Sequence, residues 1–265
     1  MKNKTFGIIS IKGGVGKTTV SANLGIALSQ FGKKVLLVDA DFSSPSLGIH
    51  FGLLKPVKTL HQVFKDKITV HEAIHEYAEN LDLLPSSLIA NKPNPYLLKE
   101  KLAPLKEIYD FIIIDSSPTL NDEMLATIVA SDEIFVVTSP DYPTLSATLH
   151  AVKTAKKQKT PISGLILNRV HNKKFELTLE EIEEASEVPI MAVLREDLII
   201  PQGIAETTPG TAIKPTAHTS IEFMKLAASI VNEEYEDPRF LTKLRKFFIN
   251  EIKKEDINRE VLRNK

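Results

Sequence analysis

One stretch limits what this chain can fold into: Ile11-Lys12-Gly13-Gly14-Val15-Gly16-Lys17-Thr18-Thr19. It follows an apolar run, Phe6 to Ile11, that reads as a buried strand. It precedes Val20 to Phe31, where Ala22, Leu24, Ala27 and Leu28 keep a helical spacing. A strand, a glycine loop and a helix in that order form a cradle for phosphate. Glycine lets the backbone reach positive φ and brings bare N–H groups close to an anion. The helix start adds the positive end of its dipole. In such a cradle Lys17 reaches the β- and γ-phosphates, and the Thr18 hydroxyl is a ligand for Mg²⁺.

The rest of the chain fits an α/β protein with a mainly parallel sheet covered by helices on both faces. Apolar runs at Val35–Val38, Leu81–Leu84, Phe111–Ile114, Ile134–Val137, Ile162–Leu167 and Ile190–Leu194 read as strands. Helical patterns lie between them, including Asp122 to Ala130 and the acidic Leu177 to Ser186. Pro45, Pro56, Pro85, Pro93, Pro95 and Pro118 fall in the expected loops, where a missing N–H does little harm. At 265 residues the chain has room for one large domain or two small ones, and no linker interrupts it before about residue 236. The expected division is therefore a domain over 1–236 and a separate C-terminal segment over 237–265.

A net charge of −1 gives no bulk attraction to nucleic acid, so any basic surface must be local. The absence of cysteine excludes disulfides, cysteine-held iron–sulfur clusters and thiol catalysis. Met1-Lys2-Asn3-Lys4 runs directly into the first strand, so no signal peptide is expected, and no apolar run nears the ~18 residues of a membrane span.

Three strands end in polar residues at the carboxyl edge, where ligands bind in such sheets. They give Val38-Asp39-Ala40-Asp41, then Asp115-Ser116-Ser117-Pro118, then Ile166-Leu167-Asn168-Arg169. With Lys12 and the glycine loop, this order of motifs resembles the MinD/ParA family of P-loop ATPases, whose deviant phosphate loop reads K-G-G-x-G-K-T-[ST]. Ser43-Ser44-Pro45-Ser46-Leu47-Gly48 also resembles the segment that follows the family's acidic pair. The likeness covers roughly residues 5 to 235, and MinD-like proteins match it best.

The resemblance implies a single P-loop NTPase domain that hydrolyses ATP with Mg²⁺ and closes into a homodimer when ATP is bound. Gly13, Gly14, Val15, Gly16, Lys17, Thr18 and Thr19 would hold the phosphates. Lys12 would reach across the dimer to the other subunit's nucleotide. Asp41 would position or deprotonate the attacking water. Asp39 and Asp115 would support the Mg²⁺ held by Thr18 indirectly, a hard cation that keeps several waters. Asn168 would bind adenine through its amide, which both donates and accepts. Ser117 stands where partition ATPases have proline, and Thr119-Leu120 does not match the division-site form, so the subfamily stays open. The Leu194-Arg195-Glu196-Asp197 turn resembles the far side of the base pocket, but Arg195 replaces the usual proline and inherits no role.

The segment after Pro238 is the second informative stretch. At 100° per residue, Phe240, Leu241, Leu244, Phe247, Phe248 and Ile252 fall within an arc of roughly 140°, and Lys243, Lys246, Lys253 and Lys254 lie opposite. A basic face against a Phe/Leu face suits an anionic membrane surface. MinD-like proteins carry such a targeting helix, which places the protein in the cytoplasm, peripheral to the inner face of the cell membrane, and implies a protein activator of hydrolysis. Here a polar tail, Glu255 to Lys265, follows the helix. Packing of that helix on protein is the alternative to lipid. A ParA-like partition ATPase that binds DNA non-specifically is the second functional reading. A third comes from His71-Glu72-Ala73-Ile74-His75, which satisfies the H-E-x-x-H pattern of zinc peptidases provided both histidines share a helix face.

Overall fold

The β-branched and aromatic runs are buried on both sides, which commits them to the middle of a layered structure. In the computed structural model, which describes residues 3–87, 94–239 and 253–263, they form an eight-stranded sheet. The strands are β1 (Lys4–Ile9), β2 (Val35–Ala40), β3 (His75–Ala78), β4 (Leu81–Leu84), β5 (Phe111–Ser116), β6 (Glu133–Thr138), β7 (Ile162–Val170) and β8 (Ile190–Arg195). Their order is β3-β4-β2-β5-β1-β6-β7-β8, parallel throughout except for the antiparallel β3–β4 pair. Side-chain alternation sorts each strand between two cores. In β2, Val35 and Leu37 face one way and Leu36 and Val38 the other.

Each core is closed by its own helices. On one face lie α1 (Lys17–Gln30) and, late in the chain, α9 (His218–Val231), packed on Phe6, Phe111 and Phe135. The opposite face carries α2 (Leu60–Phe64), α3 (Leu98–Leu102), α4 (Asp122–Ala130), α5 (Tyr142–Lys157) and α6 (Leu179–Ser186). Two short helices, α7 (Ile199–Ala205) and α8 (Gly210–Ile213), connect β8 to α9. The molecule is thus one α/β domain with a mainly parallel sheet. β1 sits near the middle of the sheet, so the loop that leaves it opens at the centre of the carboxyl edge.

Two expectations change. His71 to His75 do not form one helix: His71–Ala73 is a single 3₁₀ turn, and the chain then extends into β3 with alternating burial. Asn80, at φ 63°, turns the chain back into β4. The two histidines therefore do not share a helix face. His75 Nε2 lies 2.9 Å from the Lys58 carbonyl, and Glu72 accepts from the Thr69 N–H and hydroxyl. Among the described residues no group of three or more His, Asp or Glu is placed to hold a metal. These contacts overturn the zinc-peptidase reading. The expected polar tail is the other change. Lys254–Arg263 is a helix, and its Leu262 enters the core beneath α9. The amphipathic segment expected over residues 240–252 lies outside the described residues.

Candidate functional site

The glycine loop runs from β1 into α1 with Gly14 at φ 77° and Gly16 at φ 97°. Both values lie in the left-handed region that favours glycine. A Cβ on Gly16 would stand 2.3 Å from Asn168 Nδ2, so a side chain here would push that amide off the loop and would be strained at this φ besides. Asn168 donates from Nδ2 to the Val15 carbonyl at 2.7 Å, which ties the end of β7 to the loop. Gly16 caps α1, and its carbonyl accepts the Val20 N–H at 2.9 Å.

Lys17 is 7% exposed, a rare state for an ammonium group. Burial pushes its pKa down, while the neighbouring Asp115 and Asp41 carboxylates pull the other way. Parallel pairing places Asp39 and Asp115 side by side at the ends of β2 and β5. Asp115 accepts from Ser21 Oγ at 3.0 Å and from the Thr18 hydroxyl. Burial raises Asp115 to about 6, against the Thr18 hydrogen bond and the Lys17 charge. Asp39 is driven well above the usual carboxylate range, first by burial and then by Asp115, although its oxygens accept the N–H groups of Asp41, Ser46 and Leu47 at 3.0–3.1 Å. Asp41 Oδ1 accepts from Ser43 N at 3.1 Å and Ser44 N at 2.9 Å. Its pKa too is raised, by burial before any neighbour.

Asp115 and Asp41 thus flank the buried Lys17 ammonium while Asp39 stands beside Asp115, and burial acts against the charge on each carboxylate. The Thr18 hydroxyl beside the Asp115 carboxylate fits a hard divalent cation that keeps several waters and needs only one or two protein ligands. Thr18 Oγ1 lies 3.2 Å from Ser46 Oγ, so the first turn of α1 and the segment after the acidic pair share one rim.

Lys12 stands apart from this cluster at the loop mouth. Its Nζ donates to Thr144 Oγ1 at 2.6 Å and lies 3.2 Å from Asp141 Oδ1. Asp141 is the N-cap of α5. Burial lifts its pKa, but hydrogen bonds from Ser139, Thr144 and Lys12 outweigh that and bring it down to about 2. A cavity of about 330 Å³ opens beside Lys12, with Gly13, Gly14, Arg169, His171 and Phe175 among its walls.

The sheet therefore brings together Lys17, Thr18, Asp39, Asp41 and Asp115, with Asn168 against the loop and Lys12 at its rim. Ser21, Glu123, Asp141 and Thr144 join them without having been singled out in the sequence. Ser21 had a signal, since it lies one helical turn after Lys17. The others come from separate segments that only the fold assembles.

Comparison with known proteins agrees with this geometry. The family described as an AAA domain matches residues 3–163. The septum site-determining protein MinD of Thermotoga maritima is 33% identical over 239 residues, 85% of this chain and 87% of that protein. The Pyrococcus furiosus cell division ATPase MinD superposes with a TM-score of 0.83 at 34% identity, over 87% of this chain and 99% of its own. The septum site-determining protein MinD of Pyrococcus horikoshii, solved with Mg-ADP, gives 0.82 at 34% identity, over 86% of this chain and 95% of its own. With its glycine loop, second lysine and paired acids on this sheet, the chain belongs to the MinD/ParA family of P-loop ATPases.

Proposed function

We propose that this protein is a MinD-like switch, in which ATP closes a homodimer that binds membrane and hydrolysis releases it. The observation that carries the reading is the burial of Lys17, the first residue of α1 after the glycine loop, between Asp41 and Asp115. A cradle of that kind takes a nucleoside triphosphate: loop N–H groups and the α1 dipole hold the phosphates, and the Lys17 ammonium lies against the β- and γ-oxygens. Thr18, with Asp39 and Asp115 through water, would hold Mg²⁺, which supplies charge neutralisation at the phosphates. Asp41 orients the attacking water and accepts its proton. Lys12 places positive charge on the phosphate bound by the other subunit, much as an arginine finger does.

The test is hydrolysis. The wild type should turn over ATP slowly and only with Mg²⁺. Asp41→Ala should keep nucleotide affinity within about twofold and lose about 10²-fold or more in kcat, the range for removing a general base. Wild-type turnover in Asp41→Ala would take the water-orienting role from that residue. The DNA-binding reading has its own measurement: retention on non-specific DNA with ATP that weakens steeply with salt. The near-neutral net charge argues against it.

A further inference from the structure

Glu123 is a buried carboxylate that the hydrolytic residues leave without a purpose. It lies in the first turn of α4, 4% exposed, opposite the acidic end of β2. An acidic residue in a first turn already favours the helix dipole from an exposed position, and burying the charge is costly unless it is well bonded. Capping does not account for it either, because the N-cap is Asn121, whose side chain accepts the Met124 N–H at 3.0 Å.

The carboxylate instead grips the segment after Asp41. Glu123 Oε2 accepts the Phe42 N–H at 3.2 Å, and Oε1 accepts the Ser43 hydroxyl at 3.0 Å. Ser43 in turn gives its N–H to Asp41 Oδ1, joined there by Ser44. Both of those bonds fall on one oxygen, which sets the tilt of the Asp41 carboxylate plane. Phe42 is fixed from its other side, edge-on to His61 at 5.2 Å and to Phe64 at 5.4 Å. Residues 42 and 43 are thus clamped between α2 and α4, and the orientation of Asp41 depends on that clamp.

We infer that Glu123 is a positioning residue for ATP hydrolysis, holding Asp41 at its working angle through Phe42 and Ser43. The inference rests on the reading of Asp41 as the residue that orients water. Its chemistry is acceptor geometry, and this separates two substitutions. Glu123→Gln keeps both bonds, because the amide oxygen accepts from Phe42 N–H and the amide N–H donates to the Ser43 hydroxyl. Glu123→Leu fills the same space and keeps neither.

The experiment measures kcat and KM for ATP, and affinity for ADP, in the wild type, Glu123→Gln, Glu123→Leu, Ser43→Ala and the Ser43→Ala/Glu123→Leu pair. Glu123→Leu should lose about 10–100-fold in kcat, the scale of a small misplacement of a reacting group. KM and ADP affinity should stay within about twofold, and Glu123→Gln should hold within about threefold of wild-type kcat. Ser43→Ala should cost several-fold alone and add nothing to Glu123→Leu, because the two act in one chain of contacts. Wild-type kcat in Glu123→Leu would overturn the inference. So would a Glu123→Gln as slow as the leucine variant, or losses that fall on KM alone. Should Glu123→Leu fail to fold, Ser43→Ala decides, since unchanged kcat there breaks the proposed chain. An inactive wild type would remove the hydrolytic reading itself. An active wild type that is sensitive to Asp41→Ala but indifferent to Glu123→Leu would remove this inference alone.

Discussion

His61 carries a clear pH signature. It is fully buried, and its Nδ1 accepts the Ser87 N–H at 3.3 Å, which leaves the proton of the neutral ring on Nε2 without a partner among the described residues. Burial, helped by the Lys65 charge and opposed by Glu123, pushes its pKa from 6.5 to about 4. The unfolded chain therefore takes up this proton near pH 6.5, while the folded chain waits until about 4. Stability from neutral His61 is complete above pH 6.5 and is lost as the pH falls towards 4, by about 3 kcal/mol at ~1.4 kcal/mol per unit. Asp115 works the other way: with its pKa at about 6, the folded chain binds that proton first and gains stability as acid is added. Denaturant unfolding of the wild type and His61→Phe isolates the histidine. Their stability difference should fall by about 3 kcal/mol between pH 7 and 4, and parallel curves would mean that folded His61 titrates normally. The same scale explains why some site residues could be read from the sequence. Lys12, Lys17 and Thr18 lie within one seven-residue stretch, and Asp39, Asp41 and Asp115 follow apolar runs. Glu123, Asp141 and Thr144 are ordinary polar residues until helices α4 and α5 bring them to the loop.

At the scale of elements, buried parallel strands announce themselves as unbroken apolar runs, which is why seven of the eight strands were legible to within about three residues of their ends. β3 was not, because an edge strand with His75, Glu76, Tyr77 and Ala78 alternates only weakly and its pattern passes for a helix turn. α9 hid for the opposite reason: almost every residue is buried, so no single apolar stripe marks it. The C-terminal helix Lys254–Arg263 was illegible because polar contacts attach it. Arg259, 4% exposed, donates from Nη1 to the Met191 carbonyl at 3.0 Å and to Glu222 Oε2 at 3.1 Å, and from Nη2 to Asp256. Asn258 donates to the Ile190 carbonyl at 2.9 Å. Met191 and Ile190 belong to β8, the sheet's edge strand, so these side chains fasten the C-terminal helix to that edge. Burial raises the Glu222 pKa, but Arg259 and Lys225 outweigh it and hold the carboxyl below its usual range. Arg259→Ala removes the main partner of a buried carboxylate and should cost about 3–5 kcal/mol in denaturant unfolding. Arg259→Met with Glu222→Leu, which removes both charges, should recover most of it. A loss below about 1 kcal/mol in Arg259→Ala would mean that the helix is not held by this network.

The whole-molecule prediction concerns the proposed membrane switch. Six basic residues lie between Arg239 and Lys254, with Glu251 among them. Three are already committed to acidic partners, Arg239 to Asp237 at 2.6 Å, Lys254 to Glu183 at 2.7 Å and Lys253 to Glu255 at 3.6 Å. Each remaining charge is worth about 1 kcal/mol at most near an anionic surface, so with Glu251 set against them the net electrostatic gain is only about 2 kcal/mol. Each buried Phe or Leu side chain adds about 1.5–3 kcal/mol. Ordering the backbone costs about 1–2 kcal/mol per residue and cancels much of that. A single copy should therefore bind weakly, while two copies on one ATP-closed dimer should gain roughly 10²–10⁴-fold by acting together. In the Asp41→Ala background, which keeps ATP, light scattering should give a dimer with ATP and a monomer with ADP, and anionic liposomes should sediment only the former. Lys12→Ala should abolish both dimer and sedimentation. Phe247→Glu, which places a charge in the expected apolar face, should abolish sedimentation and keep the dimer. If Phe247→Glu instead lowers the melting temperature sharply, the segment packs on protein rather than lipid. If Lys12→Ala dimerises normally, the contacts of Lys12 with Asp141 and Thr144 are its resting role and not a site from which it crosses to a partner.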